Sequence, residues 1–470
     1  VTGPPRRVAV VGAGITGLAA AWFVRQRSPE TAVTVFEASG RVGGKIRTAV
    51  LDGAAVEAGP DTFLGRVPWA VELCRQLGLE DELVAPATTR ACVWTRGRLR
   101  PLPAGLVLGV PAEVGPLARS GIVSPFGLAR AGLDLVLPRR HLGADPSVAE
   151  VVGGRFGREV VDRLVEPLLG GIHAGRADRL SLASVAPQVA AAAEAHRSLL
   201  VGLGRQRAAA ADPPVASAAA LPGRAAGRPG RAGPAASGGA PVFLGIRGGL
   251  ERLVERLQER LVGVDVRLGT PVSSLADLGA DAVILTVPAF AAAPLVRPFS
   301  AEAAAELERI EYASVVTATL AYPRRALAGP LAGSGFLVPR VDRHVVTACT
   351  WSSSKWAEVD RRVTDPVLLR ASAGRIGDDR AMALDDDALV ERVHRELVEA
   401  MGLQVRPVGS LVTRWPRALP QYDVGHRARV GRIEAALAAA APHVRLAGAA
   451  YHGVGIAACI RQAAEVAAAV

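Results

Sequence analysis

The sequence predicts an α/β fold in which a Rossmann-type nucleotide-binding domain is joined to an antiparallel-sheet domain and an inserted helical domain. Three observations predict it. Strand, glycine turn, helix and strand follow one another at the start of the chain within about thirty residues, the length of a βαβ unit. A mainly helical stretch then interrupts the alternation, and β-branched segments follow before the last residues return to the opening style.

Val8 to Val11 reads as a buried strand, Gly12 to Gly17 as a tight turn, and Leu18 to Gln26 as a helix whose small residues allow close packing on a sheet. Val33 to Phe36 is the next strand, parallel to the first. From Pro101 to Arg140 apolar stretches are broken by Pro and Gly, and helical patterns occupy Ser147 to Leu169 and Leu180 to Ala195. Residues 205–241 are Ala, Gly, Pro and Arg with almost no large apolar side chains, so they read as a disordered low-complexity loop. Its arginines, Arg205, Arg207, Arg224, Arg228 and Arg231, read as charges on a solvated linker. Order resumes at Val242, with a helix from Leu250 to Leu261 and strands at Val264 to Leu268 and Ala282 to Val287. Val315 to Tyr322, Gly335 to Val338 and Val345 to Thr350 read as antiparallel strands forming one wall of a substrate cavity. His443 to Gly448 is a strand, and Gly453 to Val470 a glycine turn opening a helix. The expected division is a discontinuous nucleotide-binding domain (1–90, 242–290 and 410–470), a helical insertion (91–200) and a β-rich substrate domain (291–409).

With 470 residues, 50% hydrophobic and 21% charged, the chain has room for two or three globular units. Lys+Arg 55 against Asp+Glu 44 gives +11, which favours an anionic partner. Nucleic acid is disfavoured: aromatics are 4%, and there is no zinc-finger spacing, RNA-recognition signature or compact basic helix. The four cysteines form no C-x-x-C, so neither a metal site nor a disulfide framework is signalled, and a reducing cytoplasm fits. Val1 to Arg7 is too short and polar for a secretory signal, and no apolar run is long enough to span a membrane. Peripheral membrane contact and oligomeric state are left open.

The chemistry begins at the first turn. Gly12 makes the turn, Gly14 lets backbone approach a pyrophosphate, and Gly17 lets the helix pack on the strand, with the helix N-terminus facing the phosphates. Glu37 follows Gly17 by 20 residues, where a carboxylate binds both ribose hydroxyls. This much serves NAD and FAD alike. RVGGKIRT then starts four positions after Glu37: Arg41 offers charge to the diphosphate, and Gly43 and Gly44 bring up a second backbone segment. A nicotinamide dehydrogenase has no need of it, so the cofactor is read as FAD. At the far end, Gly453 to Ile456 open a helix whose dipole suits the flavin pyrimidine.

These residues resemble the flavin family of monoamine oxidases, phytoene desaturases and protoporphyrinogen oxidases. The resemblance to the bacterial protoporphyrinogen and coproporphyrinogen III oxidases is strongest. It is carried by VAVVGAGITGLAAA, RVGGKIRT, EAGPDTF, FGREVVDRLVEPLLGGIHAG, RLSLASVAP, GGLERL, ACTWSSSKW, RWPRALPQY and AGAAYHGVGIAACI. It implies FAD contacts at Gly12, Ala13, Gly14, Ile15, Thr16 and Gly17, then at Glu37, Ala38, Gly44 and Lys45. Further contacts are implied at Gly59, Pro60, Asp61 and Thr62, at Val272 and Trp415, and at Val454, Gly455 and Ile456. Arg90, Gly171, Ala174 and Leu337 match substrate-binding positions. One departure stands out: Ala457 and Ala458 precede Cys459 where the family usually has an acidic residue.

The reaction implied is oxidation of coproporphyrinogen III, or protoporphyrinogen IX, to the porphyrin in haem biosynthesis. The flavin takes hydride from a methylene bridge over three rounds, and molecular oxygen is the acceptor, leaving hydrogen peroxide. No side chain is assigned as catalytic acid or base and no metal is called for; His173 reads as a packed or substrate-shaping side chain. Transient contact with the next haem-pathway enzyme is compatible with this reading. The alternatives are a flavin amine oxidase or desaturase, which would share both ends but not the central segment, and a non-catalytic porphyrin-binding flavoprotein.

Overall fold

The computed structural model describes residues 7–139, 143–211, 241–357, 359 and 365–470. Its first layer is a five-stranded parallel sheet in the order Asp265–Arg267, Ala32–Phe36, Arg7–Val11, Ala282–Leu285, Val444–Leu446. Strand side chains alternate between faces, so a sheet covered on both sides needs apolar residues at every position. Val8, Val10, Val35 and Ile284 face helices Ile15–Arg27, Glu251–Arg260 and Ile456–Ala468. Ala9, Val11, Val283 and Leu285 face helices Ala289–Val296, Ala301–Glu308 and His426–Ala440. Residues 291–310, expected in the β-rich domain, thus pack on this sheet.

The second layer is a seven-stranded sheet in the order Gly409–Pro420, Tyr312–Tyr322, Val367–Ala373, Val346–Trp351, Gly335–Leu337, Cys92–Thr95, Arg98–Pro101. Its pairs are antiparallel except Gly335–Leu337 with Cys92–Thr95, which run parallel. One face carries Val316, Ala318, Leu369, Ala371 and Cys349 into a core with Leu389, Val393 and Leu397 of helix Asp386–Met401. The alternate positions, Arg370, Ser372, Leu337, Ala348 and Thr350, are half-buried on the opposite face. From that face Thr317 and Arg370 reach the carbonyls of Ala58 and Gly59.

Two further expected boundaries move. Residues 92–101 belong to this sheet and not to the helical insertion. Strand Gly409–Pro420, of which residues 410–420 were expected in the nucleotide-binding domain, forms its edge, where Pro416 is tolerated because an edge leaves backbone amides unpaired. A register shift opposite Ala313 to Val315 further masks the alternation.

The helical unit packs Val151, Phe156, Leu164, Leu169, Val189 and Leu203 into one core. Ser147 and Ser181 cap their helices, accepting from the amides of Glu150 and Ser184 at 3.1 Å. Helix Leu199–Ala211 overturns the first seven residues of the expected loop. Leu199 and Leu203 are buried in that core, and exposed Arg207 pairs with Glu113 at 2.7 Å. Residues 212–240, with Arg224, Arg228 and Arg231, lie outside the described residues. No helix among the described residues is long and apolar enough to cross a membrane.

Candidate functional site

Gly12 turns the chain at φ +103, and a Cβ on Gly17 would stand 1.8 Å from the Gly12 carbonyl oxygen. The helix therefore starts pressed against its own turn, with Ile15 and Thr16 buried in its first turn. At Gly14, the N-cap, a Cβ would meet nothing within 4 Å, and no side chain caps the helix. Open space beside Gly14 and the lack of a side-chain cap suit this helix start to an anion. The second glycine segment stacks on the first. Gly43 N donates to Ala13 O at 2.8 Å, and a Cβ on Gly44 (φ +57) would lie 3.2 Å from Gly14 Cα.

Glu37 closes this end. Its carboxylate accepts from Ala13 N at 2.8 Å and from Ser39 N and Oγ at 2.9 and 2.8 Å, beside exposed Ala38. Its carbonyl accepts from Thr270 N at 2.8 Å, which brings half-buried Val272 to the same end. Open glycine backbone, an uncapped helix and a carboxylate at the second strand's end fit a dinucleotide. Arg41 is held within this turn: its guanidinium donates to Val42 O at 2.8 Å and pairs with Glu251 at 3.6 Å. It thereby braces the second glycine turn.

Gly59 to Thr62 form a half-buried strap clasped from the far side of the molecule. Ala58 O accepts from Trp415 Nε1 at 2.8 Å and from Thr317 Oγ1 at 3.0 Å, Gly59 O accepts from Arg370, and Asp61 pairs with Lys355 Nζ at 2.6 Å. A Cβ on Gly59 would lie 1.9 Å from Lys45 O, so the strap also rests on the second glycine turn. Burial pushes Asp61 up, but Lys355 and Arg370 outweigh it and hold its pKa below the usual value. Burial lowers the pKa of Lys45. Thr317, Arg370 and Lys355 were not among the expected site residues. Arg370, a lone charge in the apolar strand VLLRASA, was the available signal.

The terminal glycine turn is held by Tyr422. Gly453 (φ +128) donates from its amide to Tyr422 Oη at 2.7 Å, which donates to Ala449 O at 2.8 Å. The Tyr422 ring stacks on His426, centroids 4.0 Å apart. Gly455 caps helix Ile456–Ala468 with no side-chain bond, leaving a second free helix start, and Val454 packs on the core of the helical unit. A Cβ on Gly453 would approach Ala458 Cβ to 2.6 Å, so these two positions share one tight space.

Opposite the half-buried sheet face lies helix Glu166–His173, entered through a π-helical turn at Val161–Val165, a feature frequent at functional sites. A Cβ on Gly171 would sit 3.4 Å from Leu337 Cδ2, so the expected substrate positions Gly171 and Leu337 face each other. Exposed Ile172 follows, and Ala174 ends the helix at φ +49 with its carbonyl accepting from Ile376 N at 2.7 Å. The Arg90 carbonyl accepts from Ser334 N at 2.7 Å just before strand Gly335–Leu337, and its guanidinium is exposed. His173 is buried with Nδ1 unpartnered, and burial pushes its pKa down to about 4, so the ring is neutral near pH 7.

The family pattern described as flavin-containing amine oxidoreductase matches residues 15–470. The chain belongs to that family. It is 36% identical to the coproporphyrinogen III oxidase of Bacillus subtilis (strain 168), over 97% of this chain and 96% of that protein. It is 35% identical to the coproporphyrinogen III oxidase of Mycobacterium tuberculosis (strain H37Rv), over 97% and 95%. Among solved structures, a protein of Exiguobacterium sp. 255-15 provisionally assigned as a protoporphyrinogen oxidase superposes with a TM-score of 0.83 at 30% identity, covering 98% of each chain. The amine-oxidase fold accounts for the two sheets.

Proposed function

We propose that this flavoprotein binds FAD and oxidises coproporphyrinogen III to coproporphyrin III, with protoporphyrinogen IX as a second substrate and molecular oxygen as acceptor. The observation that carries the reading is that likeness to coproporphyrinogen III oxidases runs through 97% of the chain, including the central helix Glu166–His173. When bound, the flavin supplies hydride acceptance and reoxidation by oxygen.

The chain's own residues supply the rest. Glu37 holds the ribose, the amides opened by Gly12 to Gly17 hold the pyrophosphate, and Gly44 and Lys45 cover it. The strap Gly59 to Thr62, clasped by Trp415, Thr317, Arg370 and Lys355, and the helix start at Val454 to Ile456 orient the reactive end. The macrocycle lies against the wall that Gly171 and Leu337 form together, with exposed Arg90 free to meet a propionate. Neutral His173 shapes the slot and moves no proton.

Mixing the holoprotein anaerobically with coproporphyrinogen III tests the reading. Rapid bleaching of the flavin band is expected. A band that persists sinks the oxidase and leaves the passive porphyrin-binding flavoprotein.

A further inference from the structure

We propose that Arg375 is a second carboxylate anchor of the slot, engaging a propionate at the end opposite Arg90 and so favouring a tetracarboxylate over a dicarboxylate macrocycle. The inference rests on the porphyrinogen reading.

Arg375 leaves strand Val367–Ala373 through Gly374, whose φ of +89 and whose Cβ position, 2.6 Å from Ser314 O, demand glycine. The side chain is thereby turned into the protein: Arg375 is 5% exposed. A guanidinium has five N–H donors. Among the described residues this one makes a single long hydrogen bond, 3.4 Å to Val338 O.

The nearby carboxylates are committed elsewhere. Glu166 pairs with Arg340 at 3.3 Å, and both oxygens of Asp378 accept from Arg380 at 2.8 Å. Burial, with repulsion from Arg340, lowers the pKa of Arg375 to about 10, so it stays charged near neutrality. A buried charge with so few partners is costly, and an incoming carboxylate would satisfy it.

The location matches that role. Val338 directly follows Leu337, and Ile376, the next residue, bonds Ala174. Arg375 therefore stands at the far end of strand Gly335–Leu337, while Arg90 is tied to Ser334 at the near end. Ser334 to Val338 spans about 13 Å of extended chain, on the order of a tetrapyrrole's width. Coproporphyrinogen has propionates to fill both ends, and protoporphyrinogen, with two in all, has fewer to spare.

The test titrates oxidised holoprotein, by fluorescence, with coproporphyrin III and with protoporphyrin IX, for wild type, Arg375→Gln and Arg375→Lys, with FAD content and melting temperature recorded. Arg375→Gln should weaken coproporphyrin III binding by about 10- to 100-fold, the worth of one charged hydrogen-bonded contact, and protoporphyrin IX by less than about 3-fold. Arg375→Lys should fall between, since it keeps the charge and loses the fork. A folded Arg375→Gln protein that binds coproporphyrin III like wild type overturns the anchor, as does equal weakening for both porphyrins. Should Arg375→Gln lose its FAD, Arg375→Lys decides: a selective loss for coproporphyrin III supports the anchor, and wild-type affinity for both overturns it. Wild-type protein that binds neither porphyrin overturns the underlying porphyrinogen reading as well.

Discussion

A methyl group added at Gly17 would collide with the Gly12 carbonyl oxygen at 1.8 Å, and since that atom is backbone the turn itself must move. Gly17→Ala is expected to destabilise by about 3 kcal/mol, the upper end of overpacking costs, and to purify with little flavin; the ratio of flavin to protein absorbance and the melting temperature check it. Two histidines set a pH response. His173 and His426 are both pushed down to about 4 by burial from the usual 6.5, so between these values the unfolded chain binds more protons than the folded one. Stability rises with pH across that window and is lost as pH falls from about 6.5 to 4, by up to about 3 kcal/mol per histidine. Melting temperatures from pH 4 to 7 should show this slope, made shallower by His173→Gln; an unaltered slope refutes the assignment.

At the scale of elements, the hairpin Thr48–Leu51 and Ala54–Glu57 shows how a small unit braces the cofactor end. Glu57 accepts from Leu250 N at 2.5 Å and from Thr48 Oγ1 at 3.1 Å, capping helix Glu251–Arg260. Burial raises its pKa to about 7 from the usual 4.5. The folded state therefore favours the protonated acid, and the stability this contributes is present below about 4.5 and lost as pH rises through about 7. Glu57→Gln should melt higher than wild type at pH 8, by about 2 kcal/mol or less, and match it at pH 4.5; thermal denaturation at both values decides. The terminal glycine turn makes a parallel case. Tyr422→Phe removes the acceptor for Gly453 N, a cost of about 1–2 kcal/mol, and should weaken FAD about tenfold in a titration of apoprotein, while leaving secondary structure unchanged.

Across the whole molecule, the +11 balance acts on association more than on folding. If coproporphyrinogen III is the substrate, its kcat/KM should fall more steeply with added salt than that of protoporphyrinogen IX, because more charge is screened at a Debye length of about 8 Å near 0.15 M. Parallel salt dependences would count against charge steering. The two sheets also divide the labour: the parallel one holds the glycine turns, and the other clasps the strap and presents Leu337 toward Gly171.

Much of the opening βαβ unit and its glycine turns was legible because its logic is local. Gly12, Gly14, Gly17 and Glu37 lie within one βαβ unit, and glycine spacing there follows from sterics that neighbouring residues impose on each other. Strand Gly409–Pro420 was hidden: Pro416 and the bulge opposite it break the alternation a strand is recognised by, and only its edge position makes them tolerable. The sequence by itself determined the dinucleotide turns and, through shared motifs, the family. Only the tertiary structure decided that Arg41 braces its own loop, that Trp415, Thr317, Arg370 and Lys355 clasp residues 58–61, and that Gly171 faces Leu337. The reason is physical: periodicity tells which face of an element a side chain occupies, whereas its partner is set by how elements far apart in the chain come to pack.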